Sequence, residues 1–293
     1  MRFGRIAPFL LLPWIAGCPS VPPPPSQMPS ASAAIDRLRQ TGACGLTIQA
    51  TAKIDHFGEH GRVRGDLLMF AGTPARLRMD VISPFGVALA TLTSDGQRFS
   101  LYDLRDKRFY VGAATACNIA RLTTVPIPGS VMVELLLGQP PVLKHDASRA
   151  RIAWSPKGYY VVTVPSTRQA WEELHLVPRA QDMKKAWGEQ RLRLLDVSVH
   201  QYGELLYHAE LGDHAPAPMA KERIDPDGID PPIPPSGPVC DAELPRRLHV
   251  EVPALNEDVL FRYDQVTWNP PLPEGTFVQP VPANLPVVPV ECE

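Results

Sequence analysis

Residues 76–96 read "RLRMDVISPFGVALATLTSDG". Leu77, Met79 and Val81 recur at every second position. Pro84-Phe85-Gly86 then interrupts, "VALATLT" resumes the alternation, and "SDGQ" closes it. Period two bounded by Pro, Gly and Asp turns is the pattern of antiparallel strands with one dry and one wet face. The same pattern extends in both directions. Upstream lie "LTIQATAKI" and "RVRGDLLMF"; downstream lie "RFSLYDL", "RFYVG", "ARIAW", "YYVVTVP", "WEELHLVP", "RLRLLDVSVH", "ELLYHAEL", "RRLHVEV" and "VLFRYDQVTW". The expectation is a mainly β fold, an antiparallel, incomplete, half-open barrel of about ten to eleven strands. Ala33 to Gln40 is predicted to form a short helix that Gly42 stops.

One stretch breaks the alternation. Residues 125–141, "VPIPGSVMVELLLGQPP", place an apolar run between Ser130, a potential N-cap, and Gly138, a C′ residue. Glu134 is the only charge in this two-turn helix, so nearly its whole circumference is apolar and it must be buried. Short helices of this kind are expected to cover the concave apolar face of the sheet. Val131, Leu135 and Leu136 are the candidate cavity-facing residues. The competing assignment is an ordinary core helix with no cavity beneath it.

The N-terminus carries a second signal. Arg2 and Arg5 precede the apolar segment "IAPFLLLPWI", and residues 9–20 read "FLLLPWIAGCPS". Ten apolar residues are too few to span a bilayer, which takes about 20, but they suit the core of a secretory signal peptide. Ile15-Ala16-Gly17-Cys18 resembles the bacterial lipobox, whose cysteine is lipid-modified. The expected division is a signal peptide at 1–17, a lipidated and proline-rich tether at 18–33, and a β domain at 34–293. Acyl chains on Cys18 would anchor the chain without a membrane-spanning helix. By resemblance to bacterial sorting signals, Pro19 points to the outer membrane, with the domain facing the periplasm.

Composition narrows the function classes. The net charge is −2, which gives no basis for nucleic-acid binding. Of 34 prolines, 21 fall within residues 19–29, 216–238 and 270–289, which marks these as linkers or loops. The segment 212–239 has no usable period and is expected to be a long surface loop. Besides Cys18 there are Cys44, Cys117, Cys240 and Cys292. In an oxidising compartment they allow two disulfides in three connectivities. Pairing within each half, Cys44 with Cys117 and Cys240 with Cys292, is the expectation. No two cysteines are spaced as zinc ligands.

Residues 76–96 and the stretch "RLTTVPIPGSVMVELLLGQPP" at 121–141 together resemble LolB, the outer-membrane lipoprotein receptor, and more broadly the LolA/LolB lipoprotein-carrier fold. The shared pattern is a strand, a Ser-Pro-aromatic-Gly turn, a strand ending in Gly, and a Pro-Ile-Pro helix ending in Leu-Gly-x-Pro. "YDQVTWNPPLPEGTFVQPVP" at 263–282 is similar to the ends of carrier-like relatives. The resemblance implies a hydrophobic cavity for the acyl chains of a lipoprotein or lipid cargo. It also implies a soluble LolA-like periplasmic carrier as partner, and a membrane-insertion role for Phe85 on its tight turn. The chain departs from the family in its greater length and its four additional cysteines. The second function these residues allow is a non-transporting envelope structural or assembly lipoprotein that uses the same fold as a scaffold.

No catalytic set, cofactor motif or metal set is assigned, and the chain is not expected to be an enzyme. There is no GxSxG, GxGxxG or P-loop. Asp55, His56, Glu59 and His60 in "DHFGEHG" read as a solvated turn. Glu173 and His175 share the wet side of a strand, and "DPDGID" at 225–230 lacks the closing Glu of a calcium loop.

Overall fold

The computed structural model describes residues 20–58, 61–83, 85–123 and 127–292. The expected signal peptide at 1–17, Cys18, Glu59, His60 and Pro84 lie outside the described residues.

Helix α1 (Ala31–Gly42) starts at Ser30, whose Oγ accepts the Ala33 N–H at 3.1 Å. That cap explains why the helix begins two residues before the sequence expectation. Ala31, Ala34, Ile35 and Leu38 make the buried stripe. Six strands follow in turn: β1 (Thr47–Gly58), β2 (Gly61–Gly72), β3 (Arg76–Ile82), β4 (Ala88–Ser94), β5 (Arg98–Asp103) and β6 (Arg108–Ala113). Helices α2 (Ala116–Thr123) and α3 (Gly129–Leu136) lead to β7 (Arg151–Ser155), β8 (Tyr159–Pro165), β9 (Ala170–Pro178), β10 (Leu192–Gln201) and β11 (Glu204–Gly212). Two short strands, β12 (Ala215–Pro216) and β13 (Glu243–Leu244), pair with each other. The chain ends with β14 (Arg247–Val252), β15 (Glu257–Trp268) and β16 (Val287–Val290).

Fourteen strands form one sheet in the order β16-β6-β5-β4-β3-β2-β1-β15-β14-β11-β10-β9-β8-β7. The sheet does not close into a barrel, and it is mixed, because β16 lies parallel to β6. The strand count exceeds the expected ten or eleven: all thirteen alternating segments form separate strands, and β12, β13 and β16 are added, short strands in or beside proline-rich sequence where alternation cannot be seen. Elsewhere alternation holds. In β8 Tyr160, Val162 and Val164 are buried, and in β9 Leu174 and Leu176, so one face is dry. α1 packs on this face over β8 and β10, and α3 over β2 and β3. The pairing of β1 with β15, Ile48 opposite Trp268, joins the two halves into a single core.

The disulfides are Cys44–Cys240 and Cys117–Cys292, not the within-half pairs expected from the sequence. The β1–β15 pairing is the reason. It carries the end of α1 to the proline-rich segment, and β16 carries Cys292 along β6 towards α2. The segment 212–239 is also more ordered than a free loop. Met219 bridges to Trp268, Arg223 to Ile233, and Pro235 to Pro271.

Residues 20–30 do not hang free as a tether. Val21 N–H donates to Pro156 O at 2.9 Å, and Trp154 Nε1 donates to Val21 O at 3.0 Å. Met28 is buried, with its N–H on Tyr160 Oη. Gln190 Nε2 donates to Ser26 O at 2.8 Å.

Candidate functional site

Strand direction alternates from β6 to β7 through every antiparallel pair, which divides the connecting turns between two edges of the sheet. One edge carries the turns after β1, β3, β5, β8, β10 and β14. Phe57, Phe85, Val87, Leu89, Leu104, Tyr202 and Leu255, at or next to these turns, are all exposed. On the opposite edge the short turns are Thr73-Pro74-Ala75, Asp95-Gly96-Gln97 and Pro156-Lys157-Gly158. Val21 docks at this second edge.

Among the described residues Phe85 is the most exposed large apolar residue, at 91%. Its turn is closed from below. Ser83 O accepts Gly86 N–H at 2.9 Å, Ser83 Oγ accepts Val87 N–H at 3.1 Å, and Gly86 takes φ +78. The Cβ-free residue permits that tight turn, which lifts the ring away from the core.

α3 forms as its apolar pattern requires, with two differences at its start. The helix begins at Gly129 after Pro128, and Ser130 sits inside the first turn instead of capping it. Pro128 makes no side-chain cap. At the other end Gly138 takes φ +70, its N–H bonds Leu135 O, and Gln139 N–H bonds Glu134 O at 2.8 Å. These two bonds are the Schellman arrangement. Leu135 and Leu136 are fully buried and Val131 is half-buried, all in contact with the single core.

The sequence reading missed a buried polar group that interacts with Glu134 of this helix. Glu172 on β9 is fully buried, with Oε2 accepting Leu143 N–H at 2.9 Å and Oε1 without a partner. Burial pushes its carboxyl up to about 8, Leu143 N–H opposes this, and nearby Glu134 adds to it. Burial also raises Glu134. The signal was present: the alternation that sets Glu173 and His175 outside sets Glu172 inside. Outside, His175 Nδ1 lies 2.6 Å from Asp196 and Nε2 lies 2.9 Å from Glu173. The sequence foresaw Glu173 but not Asp196, because cross-strand register decides that neighbour. "DPDGID" is a local turn, with Asp225 accepting the N–H groups of Asp227, Ile229 and Asp230. Among the described residues no helix is long and apolar enough to cross a membrane.

No family model and no curated protein sequence matches this chain. Solved structures do resemble it. A DUF1329 family protein from Desulfovibrio piger aligns over 84% of this chain and 96% of its own, at 9% identity and a TM-score of 0.49. A domain described as an outer membrane lipoprotein-sorting protein, from Vibrio parahaemolyticus, aligns over 85% and 97%, at 12% identity and 0.47. A LolA superfamily protein from Nitrosomonas europaea aligns over 85% and 98%, at 10% identity and 0.46. At these identities and scores the likeness carries no functional argument.

Proposed function

We propose that this chain is a lipid-anchored envelope protein that takes acyl chains of a lipoprotein or lipid beneath α3 and delivers them at a membrane surface, in the manner of a LolB-like receptor or carrier. The observation that carries the reading is the apolar edge crowned by Phe85, exposed at 91% on a turn held rigid by Ser83. An aromatic ring so presented is suited to the bilayer interface. The lipobox-like Ile15–Cys18 and the motifs around 76–96 and 121–141 support the same reading. Val131, Leu135 and Leu136 are proposed to face the acyl chains once α3 lifts. Transfer needs no covalent chemistry; cargo passes towards the site that buries more acyl surface.

One observation favours the second function, an envelope scaffold that moves no lipid. Val133, Leu135, Leu136 and Leu137 fill the interior below α3, each at most 1% exposed. A single experiment separates the two: uptake of a fluorescent acylated peptide by the full chain, then release to vesicles. Val131→Glu, at a half-buried position that the fold can keep, is expected to weaken uptake by about tenfold or more, the equivalent of one apolar contact of roughly 1.5–3 kcal/mol. Phe85→Glu should leave uptake intact and slow release. Failure of the unaltered chain to take up the peptide would remove the carrier reading and leave the scaffold.

A further inference from the structure

The wet face of the sheet carries a second, unrelated constellation. On β11, β14 and β15 the residues that alternate with buried Ala209, Leu211, Leu248, Val250, Val259 and Phe261 point outward. Register sets them side by side. His208 stands opposite Glu251 and Glu210 opposite His249 across β11 and β14; Glu251 stands opposite Asp258 across β14 and β15. Directly opposed residues on neighbouring strands bring their Cβ atoms to about 5 Å, close enough for their side chains to converge.

Their atoms do converge. His249 Nε2 lies 2.9 Å from Asp258 Oδ1 and 4.0 Å from Glu251 Oε1. One donor atom from each of the three lies within 4.8 Å of the others. On the far side of the ring, His249 Nδ1 faces Glu210 Oε2 at 4.0 Å, and Arg247 Nη2 holds that carboxylate at 3.3 Å. His208 Nε2 approaches the other Glu210 oxygen at 3.7 Å.

We propose that His249, Glu251 and Asp258 form a binding site for a divalent first-row metal ion such as zinc. Bonds of about 2.0–2.2 Å in tetrahedral geometry place donors roughly 3.3 Å apart, so the observed separations need only small side-chain rotations to close on an ion. One imidazole and two carboxylates are a donor set for such an ion. Glu210 stands on the side of the ring where a metal-bound histidine places its outer carboxylate; at 4.0 Å it must close on Nδ1 as the ion binds, which would orient the ring and leave Nε2 to ligate. Glu210 is thus a positioning residue, itself steadied by Arg247. All four sit on strands inside the sheet, which hold geometry better than loops do. A hollow of about 350 Å³ lined in part by Arg62, Arg247, His249 and Asp258 opens beside the group. It leaves room for water or a small anion to complete the shell. The bland alternative is a plain His249–Asp258 ion pair that binds nothing.

The test is calorimetric titration of Zn²⁺ alone into the chelator-treated, disulfide-intact full chain. One ion per chain is expected. His249→Ala should abolish that binding, and Glu210→Gln should weaken it about 10–100-fold, the usual cost of an outer-shell partner. His175→Ala, at a separate His–carboxylate group, should leave it unchanged. These positions are partly exposed, and circular dichroism of each variant checks that the sheet is kept. No saturable binding, or unaltered binding in His249→Ala, overturns the site. The outcome is independent of acyl-chain uptake, because the two sites lie on opposite faces of the sheet.

Discussion

Asn269 shows how much a single residue holds here. Fully buried just after β15, it takes φ +48, a conformation Asn tolerates better than most residues. Its Oδ1 accepts the N–H groups of Leu46 and Thr47, and its Nδ2 donates to Cys44 O and Pro238 O. One amide therefore joins the start of β1, the α1 disulfide and the proline-rich segment. Asn269→Ala is expected to destabilise the fold by about 3 kcal/mol, since it orphans buried backbone groups; urea unfolding measures it. Glu172 makes the opposite contribution. Its carboxyl titrates near 8 in the fold against an ordinary 4.5. Between those values the folded state holds a proton that the unfolded state has lost, so stability falls as pH rises through the window. Thermal melts from pH 5 to 8 should show that decline, and Glu172→Gln should flatten it and raise the melting temperature at pH 8. An unchanged slope in the variant would assign the effect to another group.

At the scale of elements, β16 is the most dependent on a covalent tie. It is four residues long, contains Pro289, and joins the sheet by the only parallel pairing among the described strands of that sheet. Pro289 gives up a ladder donor. The Cys117–Cys292 disulfide closes a sequence separation of 175 residues, and the chain-entropy argument gives a loop of this size about 5 kcal/mol. Replacing both cysteines with Ser should abolish amide protection at Val287, Val288 and Val290 while β1 and β15 keep theirs, as hydrogen exchange would reveal. Retained protection would mean that the β6 ladder alone holds the strand. α3, in contrast, was legible in advance. Its apolar circumference and Gly138 dictated a buried helix with a glycine stop. Only its first residue was misplaced, because Pro128 starts the turn before Ser130 is reached.

For the whole molecule the docked N-terminal strap matters most. Val21 is fixed at the edge of the sheet opposite Phe85, and three residues back to Cys18 reach only about 10 Å. The seven residues of β3 alone span about 23 Å. Under the proposed function, an anchored Cys18 and an inserted Phe85 call for release of residues 20–30, which as an extended proline-rich chain add about 34 Å. Trp154→Phe removes the indole bond to Val21 O. It should expose the strap to limited proteolysis with the sheet intact, and quicken cargo release to vesicles; an equally protected strap would show that Met28, Ser26 and the Val21–Pro156 bond suffice to hold it. The sequence alone determined the β class, the dry and wet faces of each strand, the buried α3 and the turn at Phe85, though not whether the ring faces out. These are local consequences of side-chain period and turn chemistry. The tertiary structure alone decided the β1–β15 closure, the cross-half disulfides, the open mixed sheet, the docking of the strap, and the meeting of His249 with Glu251, Asp258 and Glu210. Each of those depends on which distant strand lies alongside which, and at what register, and no local period carries that information.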